Sequence, residues 1–210
     1  MKKHLTSFDL RIIAIIFMTF DHVGYFLFPQ YRWLRIVGRI AMPIFAFLAS
    51  ESFRHSKNKE MYFLRMIILG SIFTIVKSYF AVGSTADIFL TLGFGYGILY
   101  GIEMKQYYLS AACLLLGIFL NVDYNWYGML LVPLFYYLHN KMYLMIPVVY
   151  VMTALAIQNL YFSSIQHYAV ISVLILLLYN KKPGYKGMKY FFYIYYPLHI
   201  IVLNLIAYWR

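Results

Sequence analysis

A chain of 210 residues that is 63% hydrophobic and only 12% charged is not a soluble domain, because such domains average about 25% charged residues. The net charge of +11 does not point to nucleic acid. The basic residues fall in short stretches between apolar runs, where they set orientation in a bilayer. A single cysteine, Cys113, excludes an internal disulfide.

The first apolar run, 8–28, opens "FDLRIIAIIFMTFDHVGYF" from Phe8 to Phe26. It resembles a signal peptide only in position, since a signal h-region lacks internal Arg and Asp and no small-residue cleavage site follows. A retained first helix is expected. It carries Asp9 and Arg11 near its start and Asp21 and His22 near its end. A charge at the centre of a bilayer costs about 2.5–3.5 kcal/mol on insertion scales, so such residues mark a partner or a function. Arg11 and His22 are eleven residues apart. Eleven steps of 100° amount to three turns plus about 20°, so both share one face, roughly 16 Å apart along the axis. Arginine suits phosphate through its planar, permanently charged fork. Histidine is the usual general base near neutral pH. The pantetheine arm of coenzyme A reaches roughly 15 Å or more at ordinary bond lengths, which fits a thioester delivered to His22 from phosphates held near Arg11. The alternative is that Arg11 snorkels to headgroups and His22 satisfies a buried partner.

The second run, 34–53, holds Arg39 and Glu51 and leads into Arg54 and His55. Glu51 and His55 are four apart and share a helix face. Either Glu51 pairs with Arg54 or His55 at the inner end, or Glu51 and His55 frame a coenzyme entrance to which Arg54, with Lys57, adds phosphate affinity. Arg39 is a further coenzyme-binding candidate and, with His199 and Tyr195, one of three unranked candidate donors to a developing oxyanion. It is also a potential partner for Asp21. A carboxylate beside His22 would orient the imidazole and raise its basicity; the sequence does not choose between carboxylates.

Seven further runs follow, at 61–80, 87–103, 106–121, 124–139, 142–159, 165–180 and 188–208. The fourth to sixth are short for the roughly 20 residues a crossing helix needs, as for tilted or re-entrant segments. In "LGFGYGILYG", Gly93, Gly97 and Gly101 form a stripe of small residues that suits close helix packing, or a smooth wall for a slender ligand. In "NVDYNWYG", Asp123 can hold an acceptor ammonium between Trp126 and Tyr127; the other reading is a turn with interfacial aromatics. In "YYPLHII", Pro197 frees the carbonyl of Tyr193, and His199 follows with Tyr195 on its face. Such a kinked polar point faces either a reactive cavity or a buried hydrogen-bond partner.

These runs predict an all-α, polytopic helical bundle of about nine transmembrane helices, one domain over 1–210. An inside N-terminus places Lys2, Lys3, Arg54, Lys57, Lys59, Lys105, Lys141, Lys181, Lys182, Lys186 and Lys189 inside, against Arg32, Arg35, Lys77 and Arg210 outside. Eleven against four supports a multi-pass cell-membrane protein with a cytoplasmic N-terminus. The sequence has no zinc-ligand spacing, soluble nucleotide loop or Ser-centred elbow, and its scattered histidines argue against a metal.

The segments "DLRIIAIIFMTFDHVGYF", "GRIAMPIFAFLASESFRHSKN", "DYNWYGMLLVPLFY" and "FYIYYPLHIIVL" together resemble the TraX family, whose founding member is linked to N-terminal acetylation of pilin. The likeness covers most of the chain, in order. The Arg11–His22 spacing also resembles the acyltransferase-3 family of membrane acyl-CoA enzymes. The resemblance implies acyl transfer from acetyl-CoA as co-substrate. The expected catalytic residues are then His22, Asp21 and His199. Arg11, Arg39, Glu51, Arg54 and His55 are expected to bind the coenzyme, and Asp123, Trp126, Tyr127 and Tyr195 the acceptor. The partners expected are acyl-CoA, an extracytoplasmic amine, hydroxyl or peptide N-terminus, and membrane lipids. A proton-coupled transporter and a non-catalytic envelope assembly protein are the alternatives. The first would favour inverted repeats and paired broken helices, which the sequence lacks; the second predicts no coenzyme affinity.

Overall fold

The computed structural model describes residues 4–79, 86–160, 162–185, 187 and 189–209, apart from the side chains of Lys189, Tyr190 and Tyr193. Lys2, Lys3, Lys186 and Arg210 of the charge asymmetry, and the end of the 61–80 run, lie outside the described residues. The chain is all-helical: α1 (Ser7–Phe26), α2 (Arg32–Gly38), α3 (Ala41–His55), α4 (Lys59–Tyr79), α5 (Ile88–Glu103), α6 (Tyr107–Phe119), α7 (Asn125–Leu138), α8 (Met145–Leu160), α9 (Ile171–Leu176) and α10 (Lys189–Tyr208). Among the described residues, the stretches 32–55, 59–79 and 142–160 are long and apolar enough to cross a membrane.

Most helices lie on the apolar runs, with two departures. The second run is broken between α2 and α3. Gly38, which closes α2, lies so close to Asp21 of α1 that a Cβ there would overlap the Asp21 side chain and backbone. That close approach is a tertiary demand, invisible in the hydropathy of the run. The eighth run is divided between a 3₁₀ helix, Ser164–Val170, and the short α9. Ser172 donates its hydroxyl to the carbonyl of Ala169 at 2.6 Å, three residues back, as a tight turn allows.

The chain packs as two compact units, Met1–Ile44 with Ile146–Arg210, and Phe45–Met145. In the first unit, α1 packs on α2 and α10, and α2 packs on the 3₁₀ helix. A capping box starts α1. Thr6 donates its backbone N–H (2.8 Å) and its hydroxyl (2.7 Å) to the Asp9 carboxylate, while the Asp9 amide donates to Thr6 Oγ1. This accounts for one of the four ionisable groups of the first helix. The N-terminal segment lies along the lysine-rich loop: Leu5 N–H donates to the Leu178 carbonyl at 3.0 Å and Ser7 N–H to that of Lys182 at 2.9 Å. The loop turns at Gly184, whose φ of +71° suits glycine and whose missing side chain leaves room for Thr6. α1 and α10 run in the same direction, since Phe8 meets Phe192 near their starts and His22 meets His199 further along both.

In the second unit, α5 packs against α4, α6 and α7. Its glycine stripe is a packing device. Gly93 faces Met66 and Ile67, Gly97 faces Cys113 and Phe63, and Gly101 faces Ser110. Lys77 on α4 pairs with Asp123 at 3.3 Å, ahead of α7.

Candidate active site

The first unit holds a histidine pair between α1 and α10. His22 Nδ1 lies 2.7 Å from His199 Nε2, and the rings are stacked with centroids 4.9 Å apart. His199 Nδ1 lies 2.9 Å from the backbone carbonyl of Tyr195. A carbonyl only accepts, so this bond places a proton on His199 Nδ1. In neutral His199, Nε2 is then the acceptor and His22 Nδ1–H donates to it. The lone pair of neutral His22 falls on Nε2. The tautomer of His22 is therefore set by a carbonyl on another helix, through a second imidazole. Tyr195 lies on the His199 face, with ring centroids 5.1 Å apart. The Tyr195 hydroxyl is 2.8 Å from Thr19 Oγ1, which donates to the Ile15 carbonyl at 2.8 Å. Because Thr19 has spent its proton there, Tyr195 donates to Thr19, which fixes the ring against His199.

Arg11 belongs to the same face. Its guanidinium carbon is 5.8 Å from the centroid of Phe192 on α10, so Arg11 and His22 both meet that helix. A cation at one end and a tautomer-fixed base further on, along one helix face, is the arrangement an extended ligand with a phosphate end and a reactive end requires.

Asp21 is not the group on His22 Nδ1. Its carboxylate takes Arg39 Nη2 at 2.5 Å and Arg35 Nη1 at 2.9 Å, both from the α2 segment. Arg39 also donates to Gln166 Oε1 at 3.3 Å and to the Arg35 carbonyl at 3.3 Å. Arg35 lies over the ring of Tyr25, 5.0 Å from its centroid. Gly38 lets α2 approach closely enough for this clamp.

The second unit has its own buried polar centre. Glu51 on α3 is 3% exposed. It lies 2.9 Å from His139 Nδ1, 3.3 Å from Arg54 Nε and 3.6 Å from His55 Nε2. Arg54 also donates to the Tyr136 carbonyl at 2.9 Å and stacks on that ring. Both sequence-level partners of Glu51 are present, and His139 at the end of α7 is an addition. Asp123 holds Lys77, and its carbonyl accepts from Thr91 at 2.6 Å. Trp126 packs against the apolar core of this unit and Tyr127 is fully buried.

The sequence reading missed His139, Arg35, Gln166 and Thr19. Two signals were available: Arg35 and Arg39 are four apart on one helix face, and His139 closes an apolar run. Among the described residues, no three or more His, Cys, Asp or Glu gather as a metal site.

Fold and geometry together define an all-helical, strongly apolar protein with a polar centre between its first and last helices. The family model described as TraX protein matches residues 8–207, and the chain belongs to the TraX family. A probable fimbrial assembly protein, FimC of serogroup H1, from Dichelobacter nodosus is 27% identical, with 94% of each chain covered. An uncharacterized protein of Rickettsia prowazekii (strain Madrid E) is 36% identical over 91 residues, which are 43% of this chain and 35% of that protein. The match to the Rickettsia protein thus spans about a third of its length. No solved structure matches the chain.

Proposed function

We propose that this protein is a membrane-embedded acyltransferase serving pilus or envelope assembly. It moves an acetyl or other short acyl group from cytoplasmic acetyl-CoA to an amine or hydroxyl acceptor at the outer face. The observation that carries this reading is the His22–His199 pair, whose fixed tautomer presents His22 Nε2 as a base on the face that Arg11 shares. Membership in the TraX family and the fimbrial assembly name of the Dichelobacter relative support the assembly setting.

The proposed reaction follows from these positions. Arg11 holds the phosphate end of the coenzyme through its guanidinium fork. His22 Nε2 takes the proton of the acceptor as its nitrogen or oxygen attacks the thioester carbonyl. The carbon–sulfur bond breaks, and the thiolate takes the proton back from the imidazolium. The products are the acylated acceptor and free coenzyme A. The positive charge that forms on His22 is shared through Nδ1–H to His199 and from His199 to the Tyr195 carbonyl. His199 is the positioning residue of this scheme.

Nine crossings with an inside N-terminus fit the same picture. An odd number of crossings requires the first and last helices to run in one direction, as α1 and α10 do. The N-terminal segment and the lysine-rich loop, both assigned to the inside by charge, lie side by side.

The test is the melting temperature of detergent-purified protein with and without acetyl-CoA or CoA. Acetyl-CoA at about 100 times its Kd should stabilise the protein by about 2.7 kcal/mol, seen as a clear upward shift that Arg11→Ala abolishes. A non-catalytic assembly role, which the FimC name fits equally, predicts no shift.

A further inference from the structure

Thr19 and Tyr195 make a second polar contact between α1 and α10, beside the histidine pair. Both contacts use the same device. On α1, Thr19 donates its hydroxyl to the Ile15 carbonyl at 2.8 Å, four residues back. On α10, His199 donates Nδ1–H to the Tyr195 carbonyl at 2.9 Å, also four residues back. Each group spends a proton inside its own helix and turns an acceptor toward the other helix. Thr19 Oγ1 takes the Tyr195 hydroxyl at 2.8 Å, and His199 Nε2 takes His22 Nδ1–H at 2.7 Å. At one contact α10 donates to α1, and at the other α1 donates to α10.

The spacing makes the two contacts one unit. Thr19 and His22 are three residues apart on α1, and Tyr195 and His199 are four apart on α10. Those steps rise about 4.5 Å and about 6 Å along a helix, so the contacts match on helices that run in one direction. Tyr195 belongs to both. Its hydroxyl holds Thr19, its carbonyl takes His199 Nδ1–H, and its ring lies 10° from the plane of the His199 imidazole. With three residues of α1 between Thr19 and His22, the bonds close a loop from α1 to α10 and back. Pro197 lies inside the same turn of α10 and gives it no amide donor. Contacts from α1 therefore support a stretch of α10 that its own backbone bonds hold less well.

We infer that Thr19 and Tyr195 are positioning residues of the site. Their hydrogen bond holds the Tyr195 ring and carbonyl on His199, and through His199 it fixes which nitrogen of His22 carries the proton and which is left for the substrate. As a statement about rate this rests on the acyltransferase reading; as a statement about the His22 ring it stands alone, and the experiment separates the two. It gives Tyr195 a role other than the acceptor binding expected from the sequence, because the hydroxyl proton goes to Thr19.

The experiment is nitrogen NMR of the detergent-purified full chain, isotope-labelled at the histidine ring nitrogens, with single-turnover acyl transfer measured on the same preparations. The His22 signals are assigned by their loss in His22→Gln. With the ring neutral, wild-type His22 should show a protonated Nδ1 and an unprotonated Nε2. Thr19→Val, which keeps the shape but not the hydroxyl, and Tyr195→Phe should each move both signals toward the average of the two tautomers. Acyl transfer should fall about tenfold in each, and no further in the double variant, because both changes remove the same bond. CoA affinity should not change. Thr19→Ser keeps the hydroxyl and should restore the wild-type signals and most of the rate. A wild type that transfers nothing, with the signals moving as stated, would end the acyltransferase reading and leave the positioning of His22 standing. The inference is overturned if either folded variant keeps the wild-type His22 signals or, given an active wild type, its full rate, or if the two losses multiply in the double variant.

Discussion

The two units each bury histidine near a carboxylate, and they do so in opposite ways. In the first, Asp21 is consumed by Arg35 and Arg39, and the partner of His22 is another imidazole. In the second, Glu51 itself sits against His139, with Arg54 and His55 around the same carboxylate. There one carboxylate faces a guanidinium and two imidazoles at once. An imidazole whose far nitrogen is pinned by a carbonyl, as His199 is, accepts from Nδ1 of its neighbour and fixes the direction of that ring's other nitrogen. The first arrangement suits proton transfer, and the second suits the holding of charge. Proximity of acid and histidine in sequence, as for Asp21 and His22 or Glu51 and His55, thus says little about chemistry. What matters is which group takes the carboxylate.

The largest effect should come from breaking the second centre. Glu51→Leu removes the buried carboxylate shared by Arg54 and His139 and breaks the Arg54 ion pair, a loss of about 3 kcal/mol, the low end for breaking a buried pair because Arg54 is partly exposed. Unfolding of the purified variant should show a large drop in stability. If Glu51→Leu unfolds like the wild type, Glu51 is no charge-holding residue and the contrast between the units fails.

A smaller but more informative effect is expected at His199. His199→Ala removes the acceptor that fixes the tautomer of His22 and should lower acyl transfer by about a hundredfold, the low end of general-base contributions. His199→Gln keeps an acceptor oxygen for His22 Nδ1–H and should recover part of the rate. Single-turnover rates of both variants check this. Equal rates for Ala and Gln would make His199 a packing residue.

The helices were largely legible in the sequence, because each apolar run ends at polar or turn-forming residues such as those at 56–60 and 104–106. The break after Gly38 was not, since it comes from the contact of that glycine with Asp21 rather than from the local apolar pattern. The shared face of Arg11 and His22 followed from helical periodicity alone, and both do meet α10. Pro197 marked the neighbourhood of His199. The bond between His22 and His199 could not be read, because it joins residues 177 apart in the chain, and periodicity does not say which helices adjoin. His199 bonds the carbonyl of Tyr195 rather than that of Tyr193, which Pro197 leaves without its helix donor. Arg35 was counted as an orienting charge outside the membrane, and only the folded α1–α2 contact reveals it as half of the Asp21 clamp.

The central claim is that His22 is the base of an acyl transfer whose coenzyme is held elsewhere on the same helix. The most direct measurement is acetyl transfer from labelled acetyl-CoA by His22→Ala and His22→Gln, with CoA affinity determined on the same preparations. Both variants should lose transfer, because glutamine can hydrogen-bond but cannot take up the proton at neutral pH. Both should bind CoA as the wild type does, since Arg11 lies roughly 16 Å away along the helix. Near-normal transfer by His22→Ala would contradict the account.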